Sequence, residues 1–106
     1  MPGTLELIKG LIEAGDIRRS EHGYDELVSD DISVREIVAG AAGAELVEDY
    51  PRFPKGACCL VLQYSEGRPI HVVWGVPTGH QSPAVLITAY RPSNDKWEAD
   101  FRSRKK

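Results

Sequence analysis

The sequence predicts an α+β fold in which short N-terminal helices pack on one face of a three- to four-stranded antiparallel sheet. Two observations carry this expectation. Up to Gly43 the apolar residues recur at intervals of three and four, the spacing of one helix face, and from Ala44 onward the interval falls to two, the spacing of one strand face. The later segments are also joined by short stretches rich in turn-formers, which suits antiparallel neighbours. A length of 106 residues fits one domain, read as a helical half over 4–43, a sheet over 44–91 and a C-terminal segment over 92–106.

The helical half reads as three short amphipathic helices. Thr4 can cap the first, with Leu5, Ile8, Leu11 and Ile12 on one stripe and Gly15 as its stop. Ser20 or Glu21 opens a second running to Asp30, with Tyr24, Leu27 and Val28 facing inward. Ser33-Val34-Arg35-Glu36 has the form of a capping box, a serine with a glutamate three residues on, and starts a third helix closed by Gly40 and Gly43.

Four strands follow, at Ala44–Tyr50, Ala57–Ser65, Ile70–Val76 and Ala84–Arg91. Pro51 and Pro54 break the first, and Glu66-Gly67-Arg68-Pro69 makes a tight turn after the second. The loop from Pro77 to Pro83 separates the last two, and Pro92 stops the fourth. From Ser93 to Phe101 the chain can form a helical turn, with Trp97 and Phe101 tucked against the body.

Composition narrows the class. The apolar runs Cys58–Leu62 and Val85-Leu86-Ile87 fall far short of the roughly 18 residues that a membrane span needs. The start lacks the basic segment and cleavage pattern of a secretory leader, so the chain reads as cytoplasmic. Cys58 and Cys59 are adjacent on a strand and point to opposite faces, which reads as two structural thiols, and the pair is too small a ligand set for a metal. No metal, cofactor or membrane is expected. Net charge is −3, but residues 1–50 carry four Lys/Arg and twelve Asp/Glu for −8, whereas residues 51–106 carry nine and four for +5. That asymmetry offers a basic sheet surface for nucleic acid, or else a solvated basic tail made of Arg102, Arg104, Lys105 and Lys106.

The order of motifs resembles the bacterial family catalogued as domain of unknown function 4258. The resemblance runs over nearly the whole chain. It rests on Ser20-Glu21-His22, Ser33 to Gly40, Glu48-Asp49-Tyr50-Pro51 and Cys59-Leu60-Val61-Leu62. The most specific match is Gly67-Arg68-Pro69-Ile70-His71-Val72-Val73, completed by Ile87-Thr88-Ala89-Tyr90-Arg91-Pro92 with Trp97. Members often follow the first histidine with an alanine and an Arg-Met pair, where this chain has Gly23-Tyr24-Asp25-Glu26-Leu27. The resemblance implies a relation to the RelE/ParE toxin superfamily, and with it helices on one face of a small antiparallel sheet.

RNA cleavage of the RelE kind needs a base for the 2′-hydroxyl, a cation for the phosphorane charge and an acid for the leaving oxygen. Histidine and arginine suit these roles near neutral pH. The resemblance therefore points to His22, His71, Tyr90 and Arg91 as catalytic candidates and to Gln63, Arg52, Arg68, Thr88 and Trp97 as binding candidates. Strand alternation suggests that Gln63, His71, Thr88 and Tyr90 line the face that the helices leave open. Each has a plainer role. His71 can hold sheet register, His22 can anchor the second helix, His80 can sit solvated in its loop, and Tyr90 and Trp97 can be core or rim aromatics.

No P-loop or dinucleotide glycine pattern, zinc spacing or nucleophile elbow is present. The expected activity is thus RNA binding or endoribonucleolytic cleavage, with RNA or the ribosome as partner. The alternative is a non-catalytic interaction module that pairs with an antitoxin-like protein or forms a homodimer.

Overall fold

A computed structural model describes residues 4–19, 32–54, 56–93 and 95–103. The expected second helix and His22 lie outside these residues. The first helix, α1, spans Thr4–Glu13 and buries Ile8 and Ile12, with Leu5 and Leu11 packed beside them. It stops at Gly15, whose φ of 78° is a left-handed conformation that glycine adopts without strain. That turn lets the Gly15 N–H donate to Ile12 at 3.0 Å and the Asp16 N–H to Leu11 at 2.9 Å, so two end carbonyls are satisfied.

Helix α2, Val34–Gly40, begins at the expected capping box. The Ser33 hydroxyl accepts from the Glu36 N–H at 3.0 Å, and the Glu36 carboxylate accepts from the Ser33 N–H at 3.3 Å. At its far end the chain tightens into a 3₁₀ turn, Ala41–Gly43. The Ala41 N–H then donates to Val38 in place of Ile37, which leaves the Ile37 carbonyl to the Gln63 side chain at 2.8 Å.

Among the described residues the sheet has five strands: β1 (Ile17–Arg19), β2 (Glu45–Tyr50), β3 (Cys58–Ser65), β4 (Arg68–Gly75) and β5 (Ala84–Tyr90), in the order β1-β5-β4-β3-β2. Four of these follow the expected segments closely. The fifth corrects the expectation of a three- to four-stranded antiparallel sheet, because β1 pairs in parallel with β5, Ile17 opposite Ala84 and Arg19 opposite Leu86. Three residues, Ile-Arg-Arg, are too few to display a period, so their pairing is a tertiary fact.

One sheet face takes the helices. Cys59 and Val61 of β3, Ile70, Val72 and Trp74 of β4, and Leu86 and Ala89 of β5 form a single cluster with Ile8, Ile12 and Ile37. Ile8 and Ile37 are completely enclosed, and each such side chain contributes about 1.5–3 kcal/mol through area removed from water. A β-bulge shifts the phase of β5. Val73 faces Thr88 and Trp74 faces Leu86, so Ile87 is the extra residue, and it lies with Val85 and Thr88 on the second face. Simple alternation along β5 would group Ala89 with Val85 and Ile87. The bulge puts Ala89 in the helix-facing core instead.

The second face is covered at one end by residues 92–93 and 95–103, a strap that crosses from β5 toward β2. A turn brings the Trp97 N–H to the Ser93 carbonyl at 3.1 Å, and a reversal follows with Phe101 donating to Glu98 at 2.8 Å. The strap is fastened at the edge strand, where Arg102 pairs with Glu45. Among the described residues no helix is long and apolar enough to cross a membrane.

Candidate functional site

Register decides which candidates meet. His71 of β4 stands opposite Tyr90 of β5 on one side and Leu62 of β3 on the other, and Leu62 stands opposite Glu45 of β2. These four form one row across the second face. Thr88 shares that face, half-buried beside the bulge. Gln63 does not. It lies on the helix-covered face, 2 % exposed, with its Nε2 donating to Ile37, so the expected polar quartet is split. Alternation within β3 does group Gln63 with Cys59 and Val61. The phase between β3 and β4, which puts Leu62 beside His71, is set by the turn that joins them.

His71 is fully buried, and the strap is what encloses it. Its Nε2 lies 2.7 Å from the Phe101 carbonyl oxygen. A carbonyl only accepts, so Nε2 carries the proton. In the neutral ring Nδ1 then accepts from the Tyr90 hydroxyl, 3.3 Å away. Trp97 packs edge-on against the imidazole with ring centroids 4.3 Å apart, and Tyr90 does the same at 5.4 Å.

Where β5 ends and the strap begins, Tyr90, Arg91, Ser93, Lys96 and Trp97 line one cavity of about 310 Å³. Three of these, Tyr90, Arg91 and Trp97, were singled out from the sequence. The Arg91 guanidinium stands 3.8 Å from the Glu36 carboxylate, which ties the cavity wall to the first turn of α2. A hydrogen bond from Ser65 holds the Glu36 carboxyl below its usual range, aided by the Ser33 N–H and by the charges of Arg91 and Arg68, against the opposing effect of burial. Glu36 is therefore a fixed anion that orients the arginine.

The other candidates are dispersed. Arg68 is exposed at the start of β4, near enough to act on Glu36 through its charge. Arg52 is exposed in the turn after β2, and His80 is exposed in its loop with Nδ1 donating to Thr78 at 3.0 Å. Lys96 and Glu36 were not among the sequence candidates. Burying Trp97 forces its neighbour Lys96 alongside the end of β5, so the tryptophan was the available signal. Glu36 was visible only as a helix cap.

A second cavity, of about 460 Å³, is apolar and lies at the other end of the same face between Phe53, Gly56, Gly75, Val76, Pro77, Val85 and Ile87. Gly56 is essential to its rim, since a Cβ there would sit 2.0 Å from the Val76 carbonyl oxygen. Cys58 and Cys59 are both buried, and desolvation raises both thiols, Cys59 to about 12. Among the described residues no three His, Cys, Asp or Glu side chains gather to hold a metal ion.

The model of a family described as a domain of unknown function, DUF4258, matches residues 19–91. The chain belongs to the DUF4258 family. No curated protein and no solved structure matches it. The DUF4258 segment contains β2 to β5, helix α2, Glu36, His71, Tyr90 and Arg91, whereas α1 and the strap with Lys96 and Trp97 stand outside it. The cavity at the end of β5 is thus built across the boundary of the matched segment. Chemically, its two cations and the Ser93 hydroxyl can hold an anion, the Tyr90 hydroxyl being given to His71.

Proposed function

We propose that this DUF4258 chain is a cytoplasmic, RNA-binding domain of RelE/ParE-toxin type, working at the end of β5. The observation that supports it is the gathering of Tyr90, Arg91, Ser93, Lys96 and Trp97 around one cavity, with two cationic side chains in its lining. Arginine and lysine at one concave site favour a phosphate-bearing ligand, arginine by its planar fork and lysine as a mobile point charge. RNA, alone or on the ribosome, is the partner that the family relation suggests. Binding is the part of this reading that the geometry favours. The described His71, on which cleavage would draw, has both ring nitrogens engaged beneath the strap. Endoribonuclease action would require the strap to lift.

The test is tightly regulated expression of the wild type beside His22→Ala, His71→Ala and Arg91→Ala, following growth and bulk mRNA integrity. Growth arrest relieved by Arg91→Ala is the expected result, and mRNA loss alongside it would add endoribonuclease action to binding. Normal growth and intact mRNA in every strain would remove the toxin reading.

A second reading rests on a different observation. The apolar cavity beside Phe53, whose side chain is half exposed, suits a non-catalytic module that holds an antitoxin-like protein or a second copy of the chain. Growth that is unaffected by the chain, together with a stable complex in sedimentation, would favour it.

A further inference from the structure

We infer that filling the cavity at the end of β5 and uncovering His71 exclude one another, because the strap builds the one and hides the other. The inference rests on the RNA-binding reading above and concerns how that site is regulated.

Tyr90 and Arg91 of the cavity lining stand at the end of β5, whereas Ser93, Lys96 and Trp97 belong to the strap. Trp97 is common to both sites. It lines the cavity, and it packs edge-on against the His71 imidazole with ring centroids 4.3 Å apart. Four residues further on, the Phe101 carbonyl caps the His71 Nε2 at 2.7 Å. Raising the strap from the imidazole therefore carries away one wall of the cavity. Conversely, a ligand held between Arg91 and Lys96 keeps that wall in place, because it binds the closed chain alone.

The strap is also fitted to open. Phe101 has a φ of 59°, in the left-handed region, where the Cβ of a bulky residue crowds the carbonyl oxygen. Such a conformation persists only where its surroundings enforce it. Here they are few. The Phe101 N–H donates to Glu98 and the Glu98 N–H to Ser103, each at 2.8 Å, and His71 takes the Phe101 carbonyl. The remaining tie is the pair of Arg102 with Glu45, whose half-exposed side chains hold weakly in water. By contrast, β4 has a paired strand on both sides. Opening of the strap thus precedes opening of the sheet. RNA bound in the cavity shuts His71 in, and a chain with His71 uncovered has lost the site that holds RNA.

The experiment follows amide exchange by NMR in the full chain, with and without rU12, whose dissociation constant is measured on the same sample. The amides read are Glu98 and Phe101, neither of which lines the cavity, and Val72 in the central strand. In the free chain the two strap amides should exchange roughly tenfold or more faster than Val72. With free rU12 at ten times its dissociation constant they should slow about elevenfold, the factor for a ligand that binds only the closed form. Phe101→Ala and Phe101→Gly lose the same ring, but glycine accepts a positive φ without crowding. The Glu98 amide should therefore exchange about fivefold more slowly in the glycine variant than in the alanine variant. Strap amides as slow as Val72, or unmoved by rU12 that binds, would overturn the inference while leaving RNA binding in place. So would equal exchange in the two Phe101 variants, since opening would then leave that residue where it is. No binding of rU12 by the wild type would remove the RNA-binding reading itself, and this inference with it.

Discussion

The imidazole of His71 and the backbone carbonyl of Phe101 are joined at 2.7 Å, across a sequence separation of 30 residues. This bond, with Trp97 packed on the same ring, fastens the strap to the centre of the sheet. The histidine lies within the span of the family match and the carbonyl beyond it, so the bond joins the matched segment to the residues that follow.

Replacing His71 should therefore loosen the strap before it harms the sheet. His71→Ala is expected to lose about 2–3 kcal/mol in urea unfolding, combining a cavity with an orphaned Phe101 carbonyl. It should also shift tryptophan emission to longer wavelength as Trp97 meets water. An unchanged emission spectrum in the folded variant would show that the strap is held by other contacts.

Gln63 and Gly40 act as a pair. A Cβ at position 40 would stand 2.9 Å from the Gln63 Nε2, so glycine there permits the amide to reach the Ile37 carbonyl. Gln63→Leu should cost about 1–3 kcal/mol, because it leaves that carbonyl buried without its donor. Gly40→Ala should lose less than this in the Gln63→Leu background than in the wild type. A double-mutant cycle measures the coupling, and strictly additive losses would refute it.

Much of this arrangement could be read from the residues, and the parts that could not share a physical cause. The capping box at Ser33, the stop at Gly15 and the strands β2 to β5 follow from local rules, in which neighbours along the chain determine one another. Tyr90, Arg91 and Trp97 were likewise marked by residue type within a recognisable motif order. The pairing of β1 with β5, the bulge at Ile87 and the separation of Gln63 from His71 depend on how distant segments meet. So does the partnership of Arg91 with Glu36. A period of two assigns faces within a strand, and says nothing of the phase between strands.

The buried thiols make a chemical prediction. With its thiol pushed up to about 12 and no exposed surface, Cys59 should resist iodoacetamide in the native protein at pH 8 and react once the chain is unfolded in guanidinium. Burial of Cys58 acts in the same direction. The folded state thus holds a proton that the unfolded state gives up above about 9, so stability should fall as pH rises from there toward 12. A Cys59→Ala variant, although less stable overall, should show a shallower alkaline decline in thermal unfolding. An identical decline would assign it to other groups.

Glu36 gives the acid counterpart. Its carboxyl titrates below the usual 4.5, chiefly through the Ser65 hydrogen bond, so its contribution is present at neutral pH and is lost as pH falls through the lowered value. Glu36→Ala should cost about 1 kcal/mol at pH 7 through the broken capping box. The gap to wild type should narrow at acid pH, as the wild-type carboxyl takes up its proton. Equal gaps at both pH values would argue that the ionised form adds nothing.

The parallel pairing of β1 with β5 has a consequence for synthesis. Ile17 leaves the ribosome early, yet its partner Ala84 is made 67 residues later. Until β5 emerges, the helices can collect on β2, β3 and β4, but the strand that lies between β4 and β1 is missing and the sheet order cannot be completed. Contacts this distant in sequence also carry a large loop-closure cost, which places them late in folding. A nascent chain arrested before Ala84 should thus remain open to protease at its N-terminal end, and one extended past the strap should not.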